Sequence, residues 1–308
     1  MSASVVIVFL ILSLIWGSTW LFIKVGLEDL PPLTFASVRF IIAAALLSGV
    51  LLVRRVPLPR DRKDWTLLAV TGVLSFTINY GAVFWGEQHV SSGLAALLQA
   101  TIPAFGLVIA HYYLPEERMT AVKIVGVLLG IAGVGLIFSN QVNDHGALAL
   151  LGSAVIVAGA FAAAYANVLV KARGGHLHPA MLAFGQMIFG LVPLLVAAVA
   201  TEGNPANFNW TPRAWLSVIY LALVGSSLAF LLYYWLVRNM DVTKTMLIAL
   251  VTPLLAVVLG MLVLGESLTW RIVTGGAAIL CGVGLIIFKG TARGRTKNML
   301  RKVRHAEN

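Results

Sequence analysis

The sequence predicts an all-α integral membrane protein of ten transmembrane helices, arranged as two inverted five-helix repeats. Three observations predict it. Hydrophobic residues make up 59% of the 308-residue chain and charged residues 11%, with a mean hydropathy of +0.93; a soluble protein carries charge on roughly a quarter of its residues. The apolar residues run in ten blocks, most of them near the roughly 20 residues a helix needs to cross a bilayer. The chain also matches itself. Trp65, Trp85, Pro103 and Glu116 recur 150 positions later as Trp215, Trp235, Pro253 and Glu266, and Lys24 and Pro32 recur after 147 as Lys171 and Pro179. Five blocks per copy is an odd number, so the second copy enters the membrane from the opposite side. Inverted halves around a shared midplane site are the recurring architecture of secondary transporters, which makes transport the leading functional expectation.

The expected spans are 5–26, 33–53, 65–86, 91–113, 120–138, 147–170, 180–200, 213–236, 244–264 and 270–288. Residues 1–139 form the first repeat, 140–288 the second, and 289–308 a basic tail. The first block lacks a basic leader and carries Trp16, Gly17, Ser18 and Thr19 at mid-span, which argues against a cleaved signal peptide. The connections are too short to hold a soluble domain.

A net charge of +10 invites a nucleic-acid partner, but its distribution argues for a membrane instead. Seven basic residues lie in the tail, and Arg54, Arg55, Arg60, Arg62 and Lys63 crowd one loop. Such clusters set topology and meet anionic headgroups. With both termini in the cytoplasm, 18 of the 22 Lys and Arg residues lie inside, the orientation the positive-inside rule selects. The twelve acidic residues fall at span ends, in loops or in the tail, which argues against a proton relay built on a mid-membrane carboxylate. The coupling mode stays open.

Taken in order, the spans carry a sparse set of polar and aromatic residues. Trp16 and Trp20 share one face of the first helix. Arg39, about 10 Å inside the second at 1.5 Å per residue, has three readings: a substrate carboxylate site, snorkelling, or pairing with Glu28 or Asp29. The third span holds Asn79 and Tyr80, the fourth Gln99 and Pro103. Tyr165 and Asn167 lie in the sixth, Gln186 in the seventh, Ser226 and Ser227 in the eighth, and Pro253 in the ninth. Amides and hydroxyls in hydrocarbon need partners, so they face other helices or a wet cavity. Pro103 and Pro253 each remove one helical hydrogen bond, at Gln99 and Ala249, and read as a symmetric pair of hinges or as ordinary kinks. Gly126, Gly130 and Gly133 of the fifth span, with Gly275, Gly276, Gly282 and Gly284 of the tenth, read as close helix packing. Cys281 is read as a packing residue. The six histidines form no metal constellation, His176 and His178 being a bare loop pair. Neither metal nor cofactor is expected.

The run Trp16-Gly17-Ser18-Thr19-Trp20, then Lys24, Pro31-Pro32 and Arg39, resembles the opening of an EamA domain of the drug/metabolite transporter superfamily. Tyr165-Ala166-Asn167, Lys171, Pro179 and Gln186 echo it in the second half, with Gln186 in the place of Arg39. Leu114 to Thr120 and Leu264 to Thr269 resemble the family's loop before the last helix of each half. The resemblance covers all but the tail, and within the family the chain is most similar to amino-acid and metabolite exporters of the YddG type. It implies export of small metabolites, amino acids and aromatic ones among them, across a bacterial inner membrane by alternating access. Helices one, three and four and their partners six, eight and nine then line the path, and the fifth and tenth stand away from it. The expected substrate contacts are Trp16, Trp20, Asn79, Tyr80, Gln99, Tyr165, Asn167, Ser226 and Ser227. The alternatives are a drug or nucleotide-sugar carrier of the same superfamily, a channel, and an intramembrane lipid enzyme. A channel needs a continuous polar pore, and an enzyme needs a nucleophile, metal or acid/base pair at depth. Neither is visible in the sequence.

Overall fold

The computed structural model describes residues 3–114, 120–144, 146–239 and 248–286. These residues form ten helical rods joined by short turns. α1 spans Ala3–Gly26, α2 Pro32–Val53, α3 Arg62–Glu87, α4 Ser92–Tyr113, α5 Ala121–Asp144, α6 Gly146–Arg173 and α7 Pro179–Glu202. α8 begins as Pro212–Ala222 and ends as Ala229–Asn239, α9 covers Ile248–Leu264 and α10 Trp270–Ile286. Seven rods are long and apolar enough to cross a membrane, and the described parts of α5, α9 and α10 add shorter apolar helices. Large apolar side chains such as Ile7, Leu10 and Leu14 of α1 and Val192, Val196 and Val199 of α7 are exposed. Water disfavours such a surface, and lipid accepts it.

Local chemistry sets several helix ends. Pro32 opens α2, where its missing N–H is no loss. The Ser91 hydroxyl accepts from the Leu94 N–H at 3.2 Å to start α4, and the Thr211 hydroxyl accepts from the Ala214 N–H at 3.0 Å to start α8.

The main contacts between helices of different halves come in matched pairs. α1 packs on α9 and α6 on α4; α1 packs on α8 and α6 on α3; α2 packs on α8 and α7 on α3. Advancing every helix number by five turns each contact into its mate and leaves α2–α7 and α4–α9 unchanged. α5 and α10 meet through glycines in the same reciprocal way. A β-carbon on Gly126 would lie 2.6 Å from the Gly282 carbonyl oxygen, and one on Gly282 would lie 2.4 Å from that of Gly126. Gly133 and Gly275 repeat the relation at 2.4 and 2.7 Å. Any larger residue would push the two backbones apart. Cys281, expected to pack, is exposed instead. The packed side of α10 carries Gly275, Ile279 and Gly282, and at 3.6 residues per turn Cys281 falls off that side.

One end of the bundle is heavily fastened. Asp29, in the turn after α1, accepts from Arg213 Nε and Nη2 at 3.0 Å each and from the Thr211 hydroxyl at 2.6 Å; Glu28 pairs with the same arginine. These donors hold the Asp29 carboxyl below its ordinary value. The clamp is therefore complete at neutral pH and is lost only as the pH falls through that lowered value. Glu202, ending α7, accepts from the Leu33 and Thr34 N–H groups at 2.8 and 2.7 Å and so caps α2. Lys24 donates to the carbonyls of Glu87 and Val90 at 2.6 and 2.7 Å, at the end of α3. Glu266, between α9 and α10, accepts from the Ser92 and Gly93 N–H groups at 2.7 and 3.2 Å at the start of α4.

Candidate functional site

At mid-length both α3 and α8 change pitch. Val73–Asn79 and Leu223–Leu228 are π-helical, and they begin 150 residues apart. A π turn carries one more residue per hydrogen-bonded loop than an α turn. It shifts the side chains that follow and is frequent at functional sites. Here the two turns deliver Asn79 and Tyr80 from one helix and Ser226 and Ser227 from the other. The hydroxyls at matching positions serve the backbone: Thr77 donates to the Gly190 carbonyl at 2.6 Å, Ser227 to the Ala222 carbonyl at 3.0 Å.

Two polar groups form around these turns. In the first, Gln99 Nε2 donates to Asn79 Oδ1 at 3.0 Å and to the Ile156 carbonyl at 3.1 Å, tying α3, α4 and α6 together. Asn79 is 7% exposed and Gln99 8%. Gly159 lets α6 approach, since a β-carbon there would lie 3.2 Å from Asn79 Cα and 2.8 Å from the Ala82 side chain. In the second, Arg39 reaches inward from α2 and its Nε donates to Ser226 Oγ at 3.1 Å. The guanidinium carbon lies 5.2, 5.4 and 5.8 Å from the ring centres of Phe40, Tyr80 and Phe84. The side chain is 3% exposed.

Aromatic rings border both groups. Tyr80 meets Phe40 edge-on at 4.9 Å and stacks on Phe76 at 5.5 Å. Trp20 is partly buried and packs against two separate cores, one built mainly from α2, α3, α7 and α8, the other mainly from α4, α6 and α10. Trp16 lies 5.4 Å from the Tyr233 ring. Ser18 shares a hydrogen bond of 2.6 Å with the Tyr220 hydroxyl, which joins α1 to α8.

The remaining expected residues scatter. The Tyr165 hydroxyl pairs with that of Tyr113 at 2.6 Å, at the last residue of α4 and away from the π turns. Asn167 is exposed; two residues on from Tyr165, it is turned about 200° around the helix. Pro103 acts as expected of a helix breaker. α4 is interrupted at Ala100 and Thr101 and restarts at Ile102, with the proline in the new first turn. Pro253, by contrast, lies inside an unbroken helix.

Sequence reasoning underrated two residues. Arg39 neither snorkels nor pairs with Glu28 or Asp29, because Arg213 holds both carboxylates. Glu87 falls at a span end as expected, yet it is 0% exposed, and neither carboxylate oxygen has a hydrogen-bond partner among the described residues. The missed signal is shared: a charge within two turns of a helix end can point inward when neighbouring turns cover that end.

The profile of the EamA-like transporter family matches residues 3–139 and 150–288. The chain is similar to the uncharacterized transporter YoaV of Bacillus subtilis, at 30% identity over 281 residues, covering 91% of this chain and 96% of that protein. It is also similar to the uncharacterized inner membrane transporter YedA of Escherichia coli, at 34% identity over 263 residues, covering 84% and 82%. A solved crystal structure superposes with a TM-score of 0.65 at 19% identity, covering 92% of this chain and 96% of that one. That likeness concerns the fold alone.

Proposed function

The chain belongs to the EamA-like transporter family and is a multi-pass membrane transporter; on that premise we propose that it exports small metabolites, amino acids and aromatic ones among them, by alternating access. The paired π turns are the observation that carries the reading. They stand at matching positions of α3 and α8 and gather amides, hydroxyls and aromatic faces at mid-helix. Such a set can hold a solute by hydrogen bonds and ring contacts and release it again.

The helix contacts that interchange when numbers advance by five support a two-fold relation between halves. With five helices in each, that relation is an inverted repeat, the architecture in which rocking one half against the other exposes a central site to each side in turn. The basic loops and tail support both termini in the cytoplasm; in that orientation the fastened end of the bundle faces outward, and the conformation reads as closed on that side. Trp16, Trp20, Asn79, Tyr80, Gln99, Ser226 and Ser227 are the substrate contacts in this reading, with Pro103 and Pro253 as hinges. Tyr165 would sit at the inner mouth, against Tyr113, and Asn167 on the rim.

Uptake of labelled tryptophan into liposomes bearing the purified protein, in competition with unlabelled threonine, methionine and non-amino-acid solutes, tests the substrate assignment. Trp20→Ala should weaken tryptophan more than threonine. Equal losses would make Trp20 a packing residue, and competition by drugs or nucleotide-linked metabolites alone would move the protein to the other branch of the superfamily.

A further inference from the structure

Arg39 is a permanent cation enclosed by the fold without an anion in contact. A guanidinium does not shed its proton in a protein, so burial leaves a full charge that the fold or a bound group must stabilise. Among the described residues the fold meets that demand only in part. Ser226 accepts one hydrogen bond from Nε, the rings of Phe40, Tyr80 and Phe84 lie near the guanidinium, and Nη1 has no hydrogen-bond partner. The nearest carboxylates in sequence, Glu28 and Asp29, are held by Arg213. The neighbour of Nη2 on α8 is Gly225, where even an added β-carbon would stand 3.8 Å away.

We infer that the Arg39 guanidinium receives the carboxylate of the transported solute, so that the substrates of this protein bear a carboxylate; this deepens the transport reading and rests on it. Three features support the assignment. The fork geometry of arginine matches a carboxylate with two parallel N–H···O bonds, and among the described residues the contact at Nε leaves Nη1 without a hydrogen-bond partner. The aromatic rings lie where a cation–π interaction holds the fork in place without consuming its in-plane donors. The residue stands beside the π turn of α8 and over Tyr80, which follows the π turn of α3, so a solute bound there touches both halves.

The ionisable groups nearest Arg39 are Tyr80 and Glu87 of α3, and Glu87 in turn lies near Lys24 of α1 and Glu266 before α10. Lys24 donates to backbone carbonyls, and Glu87 makes no ion pair with Arg39 within 4.0 Å. A purely structural role, with Arg39 balancing Glu87 across one turn of α3, is the rival account.

The test uses full-length protein and matched ligands that differ only in the carboxyl group: tryptophan against tryptophanamide, and methionine against methioninamide. Binding is read as ligand-induced thermal stabilisation in detergent, and transport as uptake into liposomes. The carboxylate member should be favoured about tenfold or more, as for a site whose buried donors an amide leaves unmet. Arg39→Gln should bring the ratio within about twofold of one, Arg39→Lys should keep only part of it because a point charge lacks the fork, and Glu87→Gln should leave it unchanged. Equal preference in the parent protein, an equal loss for both members in Arg39→Gln, or a preference restored when Glu87→Gln is added to Arg39→Gln would each overturn the inference. Should Arg39→Gln fail to fold, Arg39→Lys and Ser226→Ala decide it: a loss confined to carboxylates supports the site, and an equal loss removes it. Carboxylate-selective stabilisation without uptake would keep the site and sink the transport reading. Uptake blind to the carboxyl group would do the reverse.

Discussion

Gln99 joins three helices through one side-chain amide, donating to Asn79 and to the Ile156 carbonyl in a place water scarcely reaches. Replacing it with leucine takes from Asn79 Oδ1 the donor that it has in Gln99, and from the Ile156 carbonyl its donor besides the helical N–H, at a cost of about 1–3 kcal/mol. Gln99→Leu and Asn79→Leu should each lower the thermal midpoint in detergent. The double variant should lose less than the sum, because both single changes delete the same bond. Strict additivity would show that the two amides act independently. At this scale the sequence was partly legible. Polar residues in hydrocarbon announced themselves by type, and Asn79, Gln99 and Ser226 do face other helices. Their partners were not legible, and neither was the inward direction of Arg39. α2 is apolar on every side (Pro32 to Val53), so no polar stripe marks which face its single charge occupies.

The break in α4 is the clearest mechanical feature at the scale of elements. Pro103 cannot donate to the Gln99 carbonyl, so the residue that holds the amide group together also lies at the joint between two helical pieces. Motion at the joint would therefore alter the amide pair proposed to contact the solute. Pro103→Ala restores the missing donor and should slow transport severalfold while equilibrium binding survives. Loss of both together, or of neither, would remove the hinge. The matching Pro253 sits in a continuous helix, so the two halves are not in the same conformation at this point. That difference is what an alternating-access carrier caught in one state requires, since each half takes up the other's shape when the access side changes. Proline positions were legible in the sequence, whereas the π turns were not. A π turn inserts one residue into a helix without changing its composition, and apolar blocks hydrophobic all round carry no periodicity to reveal the shift.

Over the whole molecule, the self-match at 150 residues and the ten apolar blocks anticipated ten helical rods, and the packing pattern adds what no single segment could show. Helices from the two halves interleave: α1 lies against α8 and α9, and α6 against α3 and α4. The core around Phe35, Phe40, Phe76 and Phe84 is completed by Met187 and Leu221 of the second half. Neither half closes its own interior. Fastening on one end by Asp29–Arg213, Glu202 and Glu266 falls at the turns after odd-numbered helices. The repeat partner of Glu266, Glu116, lies outside the described residues. Sequence alone shows the basic loops from which an orientation is proposed, but not which end is fastened, because that depends on contacts between residues some 170 positions apart.

The proposed mechanism makes this protein a carrier in which a bound solute crosses as the two halves exchange conformations. Counterflow measures that claim directly. Liposomes containing purified protein would be loaded with unlabelled tryptophan, diluted into a trace of labelled tryptophan, and compared with unloaded liposomes. A carrier predicts transient accumulation of label above equilibrium that needs the internal amino acid and disappears in empty liposomes. Label that equilibrates at the same rate whether or not the lumen is loaded, without overshoot, would show a pore and contradict the account.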